Sequence, residues 1–296
     1  MGEIRLHGRG GQGTVMAAEM MANAFVFGGK YASVFPSFGI ERRGSAVMAF
    51  ARYADAPIRE HTRVYNPDIL LMLDQSLTDN PTCYEGFKAG GVIIANTKHE
   101  QHIIDLQVNQ KTLGFIDAVS IALEETGTAI TNTCMLGAFA KTTGLVELED
   151  LKKALPLFFK EKILAGNLRS MERGFNEVKI LQFSPSEASG AQKDLLNEQD
   201  PVVKPPTITT SLESAWADVS KNLLVAQTGE WRYRRPALDK AACKICGWCS
   251  IYCPGGCMKQ EKDGYFHPDL DYCKGCGICA NECPAHALKM KVEEVI

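Results

Sequence analysis

The sequence predicts an α/β domain with a mostly parallel sheet, then a linker, then a smaller cysteine-rich domain. Strand-like and helix-like runs alternate through residues 1–183, which is typical of parallel sheets with crossover helices. Prolines and polar residues dominate residues 184–215, as in an extended linker. Nine of the 11 cysteines fall between Cys243 and Cys283. The predicted domains are therefore residues 1–183 and 216–296, joined by the linker.

The first domain begins with an alternating run over residues 3–7, which predicts a short strand. A glycine-rich turn follows. Apolar residues at helical spacing, such as Val15, Ala18 and Phe25, then predict a helix that ends before Gly28. Further strands are predicted over residues 31–35, 46–53, 69–73, 91–95 and 112–116, and helices over 117–126, 133–143, 147–156, 160–178 and 211–225.

The composition excludes several classes of protein. Hydrophobic residues make up 45% and charged residues 23% of the chain, and the net charge is −3, which argues against nucleic acid as the main partner. The start lacks the apolar core of a signal peptide, and no run of about 18 apolar residues indicates a membrane span. We therefore expect a cytoplasmic protein, where disulfides are rare and dense cysteines indicate metal binding.

The cysteines form two runs with the same spacing, C-x2-C-x2-C-x3-C-P. The runs are Cys243, Cys246, Cys249 and Cys253, followed by Pro254, and Cys273, Cys276, Cys279 and Cys283, followed by Pro284. A zinc site would instead use separated pairs of C-x2-C. Residues 236–290 resemble bacterial-type ferredoxins with two [4Fe–4S] clusters, which implies an α+β domain.

In such ferredoxins the fourth cysteine of each run binds the other cluster. The resemblance therefore implies two crossed ligand sets: Cys243, Cys246, Cys249 and Cys283 for one cluster, and Cys273, Cys276, Cys279 and Cys253 for the other. We expect each fourth cysteine on the opening turn of a helix, and a hairpin turn over residues 262–265. Cys257 has no place in the motif, so we interpret it as a buried free thiol, with a ligand exchange as the alternative.

The charge of the cysteine-rich domain separates it from free carriers. Residues 238–296 contain seven Lys and eight Asp or Glu. Free carrier ferredoxins are strongly acidic, which steers them to basic partners. A nearly neutral module favours permanent docking in a larger enzyme, from which electrons pass to a separate carrier.

The turn Gly8-Arg9-Gly10-Gly11-Gln12-Gly13 matches the dinucleotide fingerprint G-x-G-x-x-G between a strand and a helix, which predicts a Rossmann-like domain. The fingerprint also needs an acidic residue near the end of the second strand, and residues 28–40 contain none. Three alternatives stay open for this loop. It could bind a nucleotide, it could bind a phosphate or another anion, or it could simply form a tight turn between the strand and the helix. Arg42 and Arg43 could bind a phosphate or carboxylate, or could belong to a solvated turn.

Several segments resemble the gamma subunit of 2-oxoacid:ferredoxin oxidoreductases. They are residues 7–13, 37–44, 65–68, 73–74 and 131–138. The tail from residue 228 through both cysteine runs resembles the delta subunit. The chain thus resembles a gamma–delta fusion of a pyruvate synthase-like enzyme, with the oxalate oxidoreductase branch also compatible.

The resemblance implies oxidative decarboxylation of a 2-oxoacid at thiamine diphosphate and Mg²⁺ in alpha and beta subunits. Electrons leave through the clusters to soluble ferredoxin, and most members use coenzyme A. This chain lacks a thiamine-binding signature, so we expect it to carry electrons and to hold no catalytic residue. By position, Arg9, Gln12, Arg42 and Arg43 are candidates for contacting a cofactor phosphate or a neighbouring subunit, and Asn132 is expected to cap a helix.

The choice of 2-oxoacid stays open among pyruvate, branched-chain acids and oxalate, and oxalate oxidation would not require coenzyme A. An NAD(P)-linked ferredoxin reductase subunit and a non-catalytic ferredoxin adaptor are alternative functions.

Overall fold

A computed structural model describes residues 1–37, 44–99, 103–104, 108–183, 228–229 and 232–293. The chain divides into two compact units, residues 1–195 and 196–296, and each is described by itself. The candidate residues Arg42 and Arg43 and the helix predicted over 211–225 lie outside the described residues.

The first unit contains one seven-stranded sheet with the order β2-β3-β1-β4-β5-β6-β7. Its strands are β1 (Gly2–Arg9), β2 (Tyr31–Ser37), β3 (Ala46–Ala54), β4 (Ile69–Met72), β5 (Gly91–Asn96), β6 (Gln110–Ile116) and β7 (Lys179–Gln182). The four strands β1, β4, β5 and β6 are mutually parallel. The pairings β1/β3, β2/β3 and β6/β7 are antiparallel.

The parallel strands at the centre of the sheet confirm the predicted α/β fold. All four residues of β4 are buried, as expected of a strand covered on both faces. The edge strand β7 was not predicted, because it has only four residues, which mix polar and apolar side chains and are mostly exposed. The sheet is therefore parallel in its middle and antiparallel toward both edges.

Five α-helices of this unit have both ends among the described residues, and three short 3-10 helices lie at Gln75–Leu77, Pro81–Tyr84 and Leu155–Leu157. The α-helices are α1 (Thr14–Phe27), α2 (Ala118–Thr126), α3 (Asn132–Thr143), α4 (Leu148–Ala154) and α5 (Glu161–Glu177). Helix α3 is buried from Asn132 to Ala140 and packs on α5. The contact is close because a side chain at Gly137 or Gly174 would overlap the backbone of the facing helix.

The described part of the second unit contains two antiparallel pairs of short strands and two one-turn helices. The strands are β8 (Arg234–Leu238) paired with β11 (Leu288–Val292), and β9 (Met258–Gln260) paired with β10 (Phe266–Pro268). The helices are α6 (Trp248–Ile251) and α7 (Ile278–Asn281). The predicted hairpin turn over 262–265 joins β9 to β10 and is confirmed. Among the residues described, no helix has the length and apolar character needed to cross a membrane.

Candidate functional site

Two groups of predicted residues can be located, the glycine loop of the first unit and the cysteines of the second. The glycine loop joins β1 to α1 and lies beside the start of β3. The amide of Gly10 donates to the carbonyl of Ser45 over 2.9 Å, and that of Gly44 donates to Gly10 over 2.9 Å. Because β3 separates β2 from β1, the end of β2 does not lie next to the loop. The geometry that places an acidic residue beside a dinucleotide ribose is therefore missing.

Arg9 and Gln12 are tied into a network with Asp74 and Ser76. Arg9 is 7% exposed, and its Nε lies 3.3 Å from Asp74 Oδ1 and donates to Ser76 Oγ over 3.0 Å. Gln12 donates to the other oxygen of Asp74 and accepts a hydrogen bond of 2.8 Å from the Arg9 amide. Both side chains thus stabilise the loop itself, and their predicted contact with a cofactor stays a prediction.

Two buried polar atoms beside the start of α1 have no hydrogen-bond partner among the described residues. They are Thr14 Oγ1 and Asn132 Nδ2, on side chains that are 2% and 1% exposed. Gly13 precedes α1 with a φ of 76°, and a Cβ there would collide with Asn132. No feature of the sequence pattern indicated that these two atoms would be buried without a partner.

The expectation that Asn132 caps a helix is wrong. Asn132 is the first residue of α3, and Thr131 occupies the cap position without a capping hydrogen bond, because its Oγ1 donates to the carbonyl of Leu73 over 3.0 Å. The Oδ1 atom of Asn132 accepts from the amide of Thr133 over 2.8 Å. Its Nδ2 atom therefore remains directed at the glycine loop.

The cysteines of the second unit line two cavities. The first cavity is lined by Cys243, Cys246, Cys249 and Cys283, together with Trp248, Phe266 and Leu288. The second cavity is lined by Cys253, Cys273, Cys276 and Cys279, together with Cys257, Pro236 and Met258. Each cavity thus collects three cysteines of one run and the fourth cysteine of the other.

The short helices carry the third cysteine of each run, which corrects the expectation for the fourth. Cys249 lies within α6, and Cys253 follows the end of that helix at Ile251. The helix ends early because the residue before a proline disfavours helical backbone, and Cys253 precedes Pro254. The same arrangement holds for α7, which contains Cys279 and ends before Cys283.

The backbone bends in the same way around both cavities, and around the first it directs amide groups at cysteine sulfur. Ile245 and Gly275 have φ values of 53° and 62°, in the left-handed region, at equivalent positions of the two runs. The Ile245 amide donates to Cys243 Sγ over 3.4 Å, and the Ala287 amide donates to Cys283 Sγ over 3.3 Å. Four thiols around a cavity with inward amides fit a [4Fe–4S] cluster, which needs thiolate ligands and hydrogen bonds to sulfur.

The thiols of the second cavity differ in acidity. Hydrogen bonding by Cys257 lowers the pKa of Cys253 to about 5 and that of Cys273 to about 7. Burial raises the pKa of Cys279 to about 12. A bound metal deprotonates a coordinating thiol, so the Cys279 proton would leave when iron binds.

The two units of the chain match different families of known proteins. Residues 3–177 match the family described as pyruvate ferredoxin/flavodoxin oxidoreductase. The chain belongs to this family. Residues 266–289, which contain the second cysteine run, match the 4Fe-4S binding domain.

Relatives within the family include gamma subunits of two oxidoreductases. The gamma subunit of the NADH-dependent phenylglyoxylate dehydrogenase of Aromatoleum evansii is 49% identical over 181 residues, which are 61% of this chain and 95% of that subunit. The common gamma subunit of the pyruvate/ketoisovalerate oxidoreductases of Thermococcus kodakarensis is 45% identical over 183 residues, 61% of this chain and 99% of that subunit.

A solved structure in the family has a similar fold. The pyruvate oxidoreductase subunit PORC of Thermotoga maritima is 36% identical, has a TM-score of 0.55 and covers 61% of this chain and 98% of its own. The resemblance to subunits of these oxidoreductases and the α/β fold with a ferredoxin-like region are therefore confirmed.

Proposed function

We propose that this chain is the electron-transfer and structural subunit of a thiamine diphosphate-dependent 2-oxoacid:ferredoxin oxidoreductase. It would hold two [4Fe–4S] clusters and pass electrons to soluble ferredoxin. The observation that carries the proposal is the pair of cysteine-lined cavities, each with three cysteines of one run and the fourth of the other, in a chain whose first unit belongs to the oxidoreductase family. The linker over 184–215 and a cytoplasmic location are part of the same proposal.

The crossed ligand sets assign a role to each cysteine of the motif. Cys243, Cys246, Cys249 and Cys283 would hold the first cluster, and Cys273, Cys276, Cys279 and Cys253 the second. When bound, the clusters accept and release single electrons. The chain contributes the thiolates, the amides directed at sulfur, and apolar side chains such as Met258 and Leu288 that keep water away from both sites.

The carbon chemistry is assigned to alpha and beta subunits that carry thiamine diphosphate and Mg²⁺. This division is supported by the absence of a thiamine-binding signature from the sequence. The nearly neutral charge of residues 238–296 supports permanent docking on those subunits. Pyruvate or a branched-chain 2-oxoacid is the proposed substrate class, and oxalate without coenzyme A is the alternative.

Iron analysis of the anaerobically purified complex tests the proposal. Two [4Fe–4S] clusters require about eight irons for each copy of this chain, beyond any iron held by partner subunits. The isolated full-length chain, reconstituted with iron and sulfide, separates the two contributions. An iron content near half that value, or stoichiometric zinc, would contradict the two-cluster assignment.

The identity of the enzyme is tested by co-purification and turnover. We expect alpha and beta subunits with thiamine diphosphate, and reduction of ferredoxin with one 2-oxoacid of a panel that includes pyruvate, branched-chain acids and oxalate. Omitting coenzyme A separates the oxalate branch from the others. A complex without any thiamine diphosphate subunit would instead favour a ferredoxin adaptor.

A second role is proposed for the glycine loop, as a contact for a phosphate of coenzyme A. It is supported by the unpartnered Thr14 Oγ1 and Asn132 Nδ2 atoms beside the positive end of α1. Titration of the complex should give coenzyme A binding that Asn132→Ala weakens by about 10- to 100-fold, since a hydrogen bond to a charged group is worth about 1.5–3 kcal/mol. Tight NADH binding would favour the NAD(P)-linked reductase instead.

A further inference from the structure

The two cysteine runs share their spacing, and the position four residues after the fourth cysteine is buried in both but holds different residues. Cys257 follows Cys253 by four residues, and Ala287 follows Cys283 by four residues. The residues before them, Gly256 and His286, have φ values of 59° and 48°, so the backbone takes the same left-handed turn in both runs. The second cavity therefore contains a thiol where the first contains a methyl group.

Cys257 is close to two of the proposed ligands of the second cluster. It is 5% exposed and lines the second cavity. Its Sγ lies 3.4 Å from Cys253 Sγ, and it faces the same cavity as Cys273 of the other run. A disulfide would need a sulfur–sulfur distance near 2.05 Å, so Cys257 and Cys253 are separate thiols.

The direction of the Cys257 hydrogen bond follows from the ligand assignment. Cys253 and Cys273 are thiolates when they bind iron, and a thiolate can only accept. The four ligands of the second cavity are complete without Cys257, which leaves its S–H group as the donor. In the first cavity the equivalent Ala287 contributes only its backbone amide, to Cys283 Sγ at 3.3 Å.

We propose that the Cys257 thiol is a positioning residue that directs its single S–H hydrogen at the Cys253 and Cys273 thiolates and thereby raises the reduction potential of the second cluster. This inference rests on the proposed two-cluster function. Reduction adds negative charge to a cluster and its thiolates, and donors to the ligand sulfurs stabilise that charge. One fold repeated twice would thus hold two clusters of different potential.

The test is a redox titration of the full-length chain, reconstituted anaerobically and followed by electron paramagnetic resonance. Cys257→Ala should keep all of its iron and shift one of the two reduction steps to lower potential by about tenfold in equilibrium constant, which is 59 mV for one electron. Cys257→Ser keeps a donor and should restore most of the shift. Ala287→Cys should raise the potential of the other step.

Two results would overturn the inference while leaving the proposed function intact. One is a Cys257→Ala protein with full iron and both reduction steps unchanged. The other is a Cys257→Ala protein that loses about half of its iron, which would make Cys257 a ligand. If the unmodified chain binds only half of the expected iron, the proposed two-cluster function is wrong, and this result is distinct from the two above. If Ala287→Cys does not load iron, the Ala and Ser variants of Cys257 still decide the question.

Discussion

Cys283, the last cysteine of the second run, lies in the same cavity as Cys243, the first cysteine of the first run. The reciprocal relationship places Cys253 with the second run. Each short helix ends before the proline that follows the fourth cysteine, so the chain carries that cysteine away from its own run. The two runs are therefore interdependent, and each needs the other to complete its cavity.

The crossed cavities predict which iron is lost when a fourth cysteine is removed. Cys253→Ala should reduce the iron content by about half and remove the cluster of Cys273, Cys276 and Cys279, since each [4Fe–4S] cluster needs four thiolates. Cys283→Ala, the matched variant, should remove the other cluster. Iron analysis and paramagnetic resonance measure both effects. Loss of the same cluster in both variants would show that the ligand sets are not crossed.

The buried Arg9–Asp74 pair predicts a large cost for removing one partner. Asp74→Ala leaves the buried guanidinium of Arg9 without its carboxylate and should lower the free energy of unfolding by about 3 kcal/mol. The control is Arg169→Ala, which breaks an ion pair to Glu125 whose arginine is 57% exposed. That change should cost about 1 kcal/mol or less. Equal losses, measured by denaturant unfolding of the full chain, would contradict this prediction.

Gly13 lies so close to Asn132 that alanine at position 13 should destabilise the protein more than alanine at position 29. Both residues have left-handed backbone, with φ values of 76° and 79°. Gly29→Ala should cost about 1 kcal/mol, because its side chain would meet only open space. Gly13→Ala should cost roughly 1–3 kcal/mol more, because Asn132 must also move. Circular dichroism during thermal unfolding compares the two, and a larger loss at Gly29 would refute the contact.

The buried His7 predicts a specific dependence of stability on pH. Burial, and secondarily the charge of Arg5, lowers the pKa of His7 from 6.5 to about 3. Arg5 Nε donates to His7 Nε2 over 3.0 Å, so the folded protein holds the neutral ring. The unfolded state binds a proton first as pH falls, so this contribution to stability is complete above about pH 6.5 and is lost progressively toward about pH 3.

The loss attributable to His7 should be about 2 kcal/mol between about pH 7 and about pH 5. His7→Gln retains an acceptor for Arg5 and does not titrate, so it should remove this part of the pH dependence. The measurement is the difference in unfolding free energy between the two proteins at each pH. Parallel pH profiles for them would show that His7 is not the group responsible.

Much of the fold could be predicted because its elements depend on local sequence. The apolar run of β4 and the helical spacing of α1 are properties of neighbouring residues, and both elements form where expected. Strand order is different, because it depends on pairing between distant segments. The position of β3 between β1 and β2 was not predicted, and it is this insertion that removes the dinucleotide geometry.

The sequence alone determined the family and the likeness of the cysteine runs to iron–sulfur motifs, because both depend on residue identity and spacing. Only the tertiary structure decided how those residues are used. It placed Arg9 against Asp74, 65 residues away in the chain, so a residue that was a candidate for binding a cofactor makes a contact within the protein. It also brought Cys257 to Cys253 and Cys273, since a left-handed turn and a shared cavity, and not spacing, determine which sulfurs meet.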